Sequence, residues 1–270
     1  MEVIVGSVER MWAIALNTFR EAVRNKVLAI LVLFAVALMA FSLVLGQLSL
    51  HEEIRIIKDL GLAGISIFGV IIALFLGVNL LSKELDRKTV YAIIPKPLHR
   101  WEFLLGKYLG MVVTMTALVA LMSLVLMAFL AVQGGRHGVT MVRAEILIWL
   151  ELLLLMAVAM LFSSFSSPWL SAMMAAGLWV IGRNSAELEA FAGSPKLEDS
   201  FGGDLLGFIL EVVPDFRMFY VSGANFDEAV VSVHESFVSW GYVASAGAYC
   251  LAYAAFAWRW RSSPSPRDFT

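Results

Sequence analysis

The sequence is poor in charge and in cysteine. Only 16% of its 270 residues are Asp, Glu, Lys or Arg, whereas 60% are apolar, and the mean hydropathy is +0.82. Soluble domains carry about 25% charged residues, so these values indicate an integral membrane protein. Cys250 is the single cysteine and lies in an apolar run, which excludes a disulfide framework and a cysteine-based metal site.

Two signatures of chemical activity are also missing. No G-x-x-x-x-G-K-[ST] segment occurs, so the chain has no phosphate-binding loop of this type. The four histidines lie in loops or at the ends of apolar runs, which disfavours an intramembrane Ser–His hydrolase. Glu151 is the single ionisable residue inside the long run from 146 to 182, and we interpret it as paired within the bundle or reaching the outer interface. An ion-coupled carrier would show more such residues.

The uncharged runs predict six transmembrane helices. The first run, from Val27 to Leu50, is about 36 Å long as a helix and exceeds a hydrocarbon core of about 30 Å. The run from 146 to 182 is too long for one span, and we divide it at Pro168 because clustered Ser and Pro break helices. The predicted spans are 27–50, 60–82, 108–133, 146–165, 168–183 and 237–258, separated in the first half by short loops at 51–59 and 136–145.

A surface helix is predicted ahead of the first span, over residues 8–26. Its charged and apolar residues separate onto two faces at helical spacing, as in helices that lie in a membrane surface. An ordinary soluble amphipathic helix is the alternative. The apolar face carries Val8, Trp12, Ala15, Leu16, Phe19 and Val23.

The ends of the chain set the predicted topology. Basic residues cluster near both termini, so both are expected on the cytoplasmic side, and two cytoplasmic ends require an even number of spans. Residues 184–236 hold ten of the 22 acidic residues and two basic ones, and we expect them on the extracytoplasmic side. Within that region, 204–223 is apolar but interrupted by Pro214 and charges, which favours a pair of half-helices at the outer face.

The densest basic cluster lies between the second and third predicted spans, over residues 83–110. A helix is expected from Lys83 to Ile94, where Pro95 and Pro97 end it. Its apolar residues either dock on a partner or lie on the membrane surface, and the sequence leaves both interpretations open. These residues are Val90, Tyr91, Ile93 and Ile94.

The segment SKELDRKTVYAIIPKPLHRWEFLLGKYLG resembles the loop between the second and third spans of the permease subunits of type-2 ABC exporters. NTFREAVRNKVL (17–28) is similar to the N-terminal interface helix of that family, and VPDFRMFYV (213–221) to its Pro-containing segment between spans 5 and 6. The positions that match the loop are Glu84, Arg87, Lys88, Thr89, Pro97, Arg100, Gly106 and Lys107.

The resemblance implies a single permease domain over 1–270, which forms a translocation path as a dimer of identical or different permease subunits. It implies an all-α membrane protein with six spans, in the cytoplasmic (inner) membrane of a bacterium. Residues 83–101 would be a coupling loop on a separate ABC ATP-binding subunit, which would bind ATP and Mg, so this chain is expected to need no cofactor or metal and to bind no nucleic acid. The coupling residues would be Glu84, Arg87, Lys88, Thr89, Tyr91, Ile94, Pro97 and Arg100.

Two points stay open in the sequence. Ala172, Ala176 and Gly177 in the fifth predicted span are spaced for close helix approach, either within the chain or across a dimer. A non-transporting membrane anchor or assembly subunit of an envelope complex is the alternative function, although an anchor would not need an ATPase-docking helix.

Overall fold

The computed structural model describes residues 2–48, 53–87, 100–135, 138–192, 207, 210, 213–219, 225–226, 229–230 and 238–262. This part of the chain is helical apart from one small antiparallel pair of two-residue strands, β1 (Asn225–Phe226) and β2 (Ala229–Val230). A 3-10 helix covers Phe216–Phe219. The eight α-helices are α1 (Glu2–Val23), α2 (Lys26–Leu48), α3 (Glu53–Arg87), α4 (Arg100–Val132), α5 (Val139–Phe162), α6 (Pro168–Arg183), α7 (Ser185–Ala192) and α8 (Trp240–Ser262).

Four of these helices are long and apolar enough to cross a membrane, so the fold is that of a multi-pass helical membrane protein. The four candidate spans are Lys26–Gln47, Glu53–Val78, Glu102–Val132 and Val139–Phe162. Two predicted spans are not among them. α6 begins at Pro168, at the predicted break, but its 16 residues extend about 24 Å, less than a hydrocarbon core of about 30 Å. α8 is longer, but Gly, Ser and Tyr dilute its apolar residues.

α3 and α5 form the centre of the bundle. α3 packs against α2, α4, α5 and α6, while α5 also contacts α4, α6 and α8. α3 and α5 run in the same direction, since Gly69 lies against Leu152 and Gly77 against Ala159. α3 ends and α4 begins at one end of the bundle, which we call the basic end. α3 and α5 both begin at the opposite end, which we call the distal end.

Two predicted loops are partly helical. Residues 51–59 were expected to be a loop, but α3 begins at Glu53, and Arg55 and Asp59 lie one turn apart with 3.9 Å between Nε and Oδ2. Residues 136–145 were also expected to be a loop, but α5 begins at Val139. Both predictions were wrong for the same reason: charged turns continue a helix beyond the apolar run that defines the span.

Further differences lie next to the predicted spans. α7 (Ser185–Ala192) is a helix that the sequence analysis did not predict within the acidic region. α4 begins at Arg100, eight residues before the predicted start of the third span. By contrast, α3 extends to Arg87 in agreement with the helix expected from Lys83, so Glu84 and Arg87 lie on its last turns.

Candidate functional site

Polar side chains enter the apolar bundle at two places. One is at the basic end, where α1 packs along the first turns of α4. The other is in the distal half, where α3, α5, α6, α8 and residues 213–219 meet. We describe the two places in turn because each has its own charged pair.

Two glycines bring α1 and α4 into close contact. A Cβ atom on Gly106 would lie 2.9 Å from the Met11 carbonyl oxygen, and one on Gly110 would lie 2.6 Å from the Ala15 carbonyl oxygen. Both positions therefore require glycine, and their four-residue spacing is typical of close helix pairs in membranes. The face of α1 that packs here carries Ala15, Thr18 and Ala22, which are buried.

The predicted apolar face of α1 is largely turned away from α4. Trp12 is 57% exposed and Val23 is 63% exposed, and Val8 and Leu16 are exposed as well. α1 thus has a packed face of small residues and an outer face of large apolar ones. The outer face is available to lipid, as a helix at a membrane surface requires.

A charged pair joins α1 to the first turn of α4. Arg10 donates from Nη2 to Glu102 Oε1 at 3.0 Å and from Nε to Glu102 Oε2 at 3.3 Å, and its Nη2 also lies 3.0 Å from Ser7 Oγ. The Glu102 side chain is 1% exposed and that of Arg10 is 32% exposed. Such a two-point contact fixes orientation as well as distance. Lys107 is also buried here, with Nζ 5.7 Å from the centre of the Phe103 ring.

Most of the predicted coupling residues lie outside the described residues. These are Lys88, Thr89, Tyr91, Ile94 and Pro97. Glu84 and Arg87 lie at the end of α3 and Arg100 is the first residue of α4, so the two helices lead into and out of the predicted coupling segment.

The second polar site is centred on Glu151 in the middle of α5. Its Oε1 accepts hydrogen bonds from Arg183 Nη1 at 2.8 Å and from Trp179 Nε1 at 2.8 Å. Arg183 Nη1 also lies 3.3 Å from Ser66 Oγ on α3, and its guanidinium lies 5.2 Å from the centre of the Trp179 ring. Glu151 is fully buried and the Arg183 side chain is 21% exposed. The expected pairing of Glu151 within the bundle is therefore confirmed.

This pair lies deep in the bundle. Ser66 is about 20 Å along α3 from its first residue and Glu151 is about 18 Å along α5, at 1.5 Å per residue. These depths are near the middle of a hydrocarbon core of about 30 Å. α6 therefore ends at mid-depth, and Arg183 is its last residue.

Residues 213–219 fill the space beyond the end of α6. Phe216 and Phe219 are almost fully buried, against α5 and α6. A Cβ on Gly182 would meet the Pro214 carbonyl oxygen and, at 2.8 Å, the Phe216 ring, so this approach requires glycine. Irregular backbone at membrane depth is stable only where protein or water covers it, and here the helices cover it.

Hydrogen bonds hold the same segment to α7 and α8. Ser185 Oγ donates to Asp215 Oδ1 at 3.1 Å, and the Asp215 N–H donates to the Tyr249 hydroxyl at 2.9 Å. Tyr242 donates from its hydroxyl to the Met218 carbonyl oxygen at 3.0 Å. The backbone of the segment is therefore satisfied in part by tyrosines from α8.

The three predicted seam residues do not share one environment. Ala172 and Ala176 are partly buried, whereas Gly177 is exposed, and no described atom lies within 4 Å of where its Cβ would be. The buried face of α6 instead carries Ser171 and Ala175. Gly177 thus packs against nothing within the described part of this chain.

Several residues of the two sites were missed by the sequence analysis. Arg183 ends an uncharged run and was taken as its boundary, and Gly182 was not singled out. Gly106 and Gly110 have a readable signal, since they are spaced as G-x-x-x-G at the start of an apolar helix. Within the described residues, no three His, Cys, Asp or Glu side chains cluster as metal ligands would.

Taken together, several apolar spans, a short helix that ends at mid-depth and a buried segment beyond it define a multi-pass helical membrane protein. The family model of the ABC-2 family transporter proteins matches residues 12–183, more than half of the chain. The protein belongs to this family, whose members are membrane subunits of ABC transporters. A comparison with curated proteins found no match. Residues 213–219 lie outside the matched range.

Proposed function

We propose that the protein is the permease half of an ATP-driven exporter. Two permease subunits, identical or different, form the translocation path, and separate ATP-binding subunits bind ATP and Mg and dock on the coupling loop 83–101. The subunit crosses the cytoplasmic membrane of a bacterium six times, with both termini inside, and residues 184–236 form the extracytoplasmic region, of which 213–219 enter the outer half of the bundle. Family membership supports this function over that of a non-transporting anchor.

The observation that carries the proposal is the length of α3 and α4 at the basic end. α3 has 35 residues and α4 has 33, so each is about 50 Å long, well beyond a hydrocarbon core of about 30 Å. The uncharged run of α3 ends at Ser82, and the helix continues for about 7 Å to Arg87. Two helices that project beyond the membrane can carry the 88–99 segment into contact with a cytoplasmic subunit.

The contact between α1 and α4 supports transmission of motion from the 88–99 segment to α1. α4 begins directly after it, and α4 is joined to α1 by the Arg10–Glu102 pair and by the Gly106 and Gly110 contacts. A displacement of the first turn of α4 would therefore move α1 as well. α1 would carry its exposed apolar face along the membrane surface.

The distal half supports a path that is closed at the outer side. In the proposed topology, residues 213–219 lie on the extracytoplasmic side of the Glu151–Arg183 pair. They close the end of the bundle next to α6, as a cap over a translocation path would.

The exposed face of α6 is the proposed dimer surface. Trp169, Met173, Gly177 and Val180 lie on this side and are exposed in the single chain. Gly177 offers open space for a close approach by a second helix.

The test is to purify the tagged chain from solubilised membranes and measure bound ATPase. We expect a stoichiometric nucleotide-binding subunit with ATPase activity. Replacing Tyr91 and Ile94 with Asp should release that subunit while the spans stay folded, because charge would remove the apolar docking surface. Replacing the exposed Asp59 with Asn is the matched control and should retain the subunit. A chain that co-purifies with no ATPase would refute the proposal.

A further inference from the structure

The end of α6 contacts three other parts of the chain through neighbouring residues. Gly182 lies against Pro214 and Phe216, Arg183 binds Glu151, and Ser185 donates a hydrogen bond to Asp215. Residues 182–185 and 213–219 are therefore packed together as one unit. We call this unit the distal plug.

The distal plug is attached to the surrounding helices by polar contacts of two kinds. Tyr249 and Tyr242 hold its backbone to α8 through neutral hydrogen bonds. Arg183 holds it to α5 and α3 through Glu151 and Ser66. Among these contacts, the one between Arg183 and Glu151 is charged on both sides and is the deepest in the bundle.

The geometry of this pair is incomplete. Glu151 Oε1 accepts both hydrogen bonds, from Arg183 and from Trp179, whereas Oε2 is buried and has no hydrogen-bond partner among the described residues. A buried ion pair offsets its desolvation cost only when the remaining lone pairs are satisfied, and an apolar pair of similar volume would often be as stable. Stability alone is therefore a weak explanation for the two charges, and ionisable groups at this depth usually serve function.

We propose that Arg183 is a positioning residue of the translocation path, and that its contact with Glu151 holds the distal plug closed against α5 and α3. Opening of the path would separate the two charges and release the plug from these helices, while the close packing of Gly182 on Pro214 and Phe216 keeps the plug together. This inference rests on the proposed function, because it assigns the plug to the outer side of the path.

The experiment measures access to the plug with a thiol reporter. Cys250 is replaced by Ala, and Ser185, which is 7% exposed, is replaced by Cys, a nearly isosteric change. A membrane-impermeant maleimide is added from the extracytoplasmic side to the chain in proteoliposomes with its ATPase, first without nucleotide. The rate of labelling reports the fraction of molecules in which the plug is open.

Glu151→Gln in this background should raise the nucleotide-free labelling rate about tenfold, because the open fraction increases when the charge contact is lost. The exchanged pair Glu151→Arg with Arg183→Glu should return the rate toward the parent value. Asp59→Asn removes an exposed pair on α3 and should leave the rate unchanged. If Glu151→Gln does not fold, Ser66→Ala removes a single contact of Arg183 and should raise the rate by a smaller factor.

A purely structural role is distinguished by the response to ATP. ATP turnover should increase labelling of the parent, whereas Glu151→Gln should label rapidly with or without ATP at temperatures well below the melting temperature of that variant. An unchanged nucleotide-free rate in a folded Glu151→Gln protein, or in Ser66→Ala where Glu151→Gln does not fold, would overturn the inference. Absence of any ATPase partner would instead refute the proposed function, and the nucleotide-free rates would still decide the role of Arg183.

Discussion

Two Arg–Glu pairs lie within the part of the chain that the structure describes, and their surroundings differ. Arg10 and Glu102 meet at the basic end in a two-point contact, next to the close approach at Gly106 and Gly110. Arg183 and Glu151 meet at mid-depth through one carboxylate oxygen. The first pair is added to a contact that glycines already create, whereas the second is the charged link between the distal plug and the central helices.

The comparison shows that the contribution of an Arg–Glu pair to stability depends on its surroundings. Arg10 is partly exposed, so water screens its charge and limits what the pair contributes to stability. Glu102 and Glu151 are both buried, but Glu151 lies at mid-depth, so loss of its partner leaves a carboxylate in an apolar medium. The following predictions test this difference, starting with the largest effect.

Arg183→Ala should lower the free energy of unfolding by about 3–5 kcal/mol, because it leaves Glu151 buried without its cation. The double variant Glu151→Leu with Arg183→Met should lose far less, since it removes both charges. Thermal unfolding in detergent measures both. Equal losses in the single and the double variant would show that packing, and not charge, dominates at this site.

Gly182→Val should destabilise the fold by about 1–3 kcal/mol, because its side chain would meet Pro214 and Phe216. Gly177→Val is the matched control on the same helix, and its melting temperature as a monomer should be almost unchanged, because the site is open. The oligomeric state of Gly177→Val, measured by light scattering, tests the proposed dimer surface. A normal dimer would count against that surface.

Gly110→Ala should cost about 1–3 kcal/mol, because a Cβ there would lie 2.6 Å from both the Ala15 carbonyl oxygen and Thr18 Cβ. Gly247→Ala on α8 is the control, since its Cβ would meet nothing closer than Leu150 Cδ1 at 3.9 Å. The melting temperatures of the two variants measure the cost of a Cβ atom at each position. An unaffected Gly110→Ala protein would mean that α1 and α4 separate without cost.

Arg10→Ala should have the smallest effect, about 1 kcal/mol, because the glycine contact remains and removal of the partly exposed Arg10 side chain lets water reach Glu102 at the end of the bundle. We expect a larger effect on the coupling of ATP hydrolysis than on stability. ATPase activity of the complex and its melting temperature measure the two separately. A loss of stability as large as that of Arg183→Ala would remove the distinction between the two pairs.

Much of the architecture was predictable because long apolar runs have few alternatives in water or in a membrane. The break at Pro168 and the family were predicted from the sequence, and pairing within the bundle was one of two interpretations of Glu151. The helix ends were predicted less well, because charged turns such as those at Glu53 and Val139 continue helices that hydropathy alone would end.

The candidate site was predicted only in part. Glu151 stood out as a lone charge in an apolar run, but its partner Arg183 looked like an ordinary helix end. The depth of Arg183 in the bundle follows from the shortness of α6 and from its alignment with α5. The alignment of two helices cannot be predicted from the sequence of either helix alone. Similarly, the sequence does not distinguish Gly182 from Gly177, but Gly182 is tightly packed whereas Gly177 has open space beside it.

The sequence by itself determined the membrane environment and the periodic helices, because these follow from composition and local spacing, and its resemblance to known permeases indicated the family. The tertiary structure decided which small residues are contacts, which face of α1 is packed, and that a charged pair lies at mid-depth beneath residues 213–219. The physical reason is that helix propensity and hydropathy act over a few turns of one chain segment. Close approach and charge pairing depend on the register between segments that are distant in the sequence.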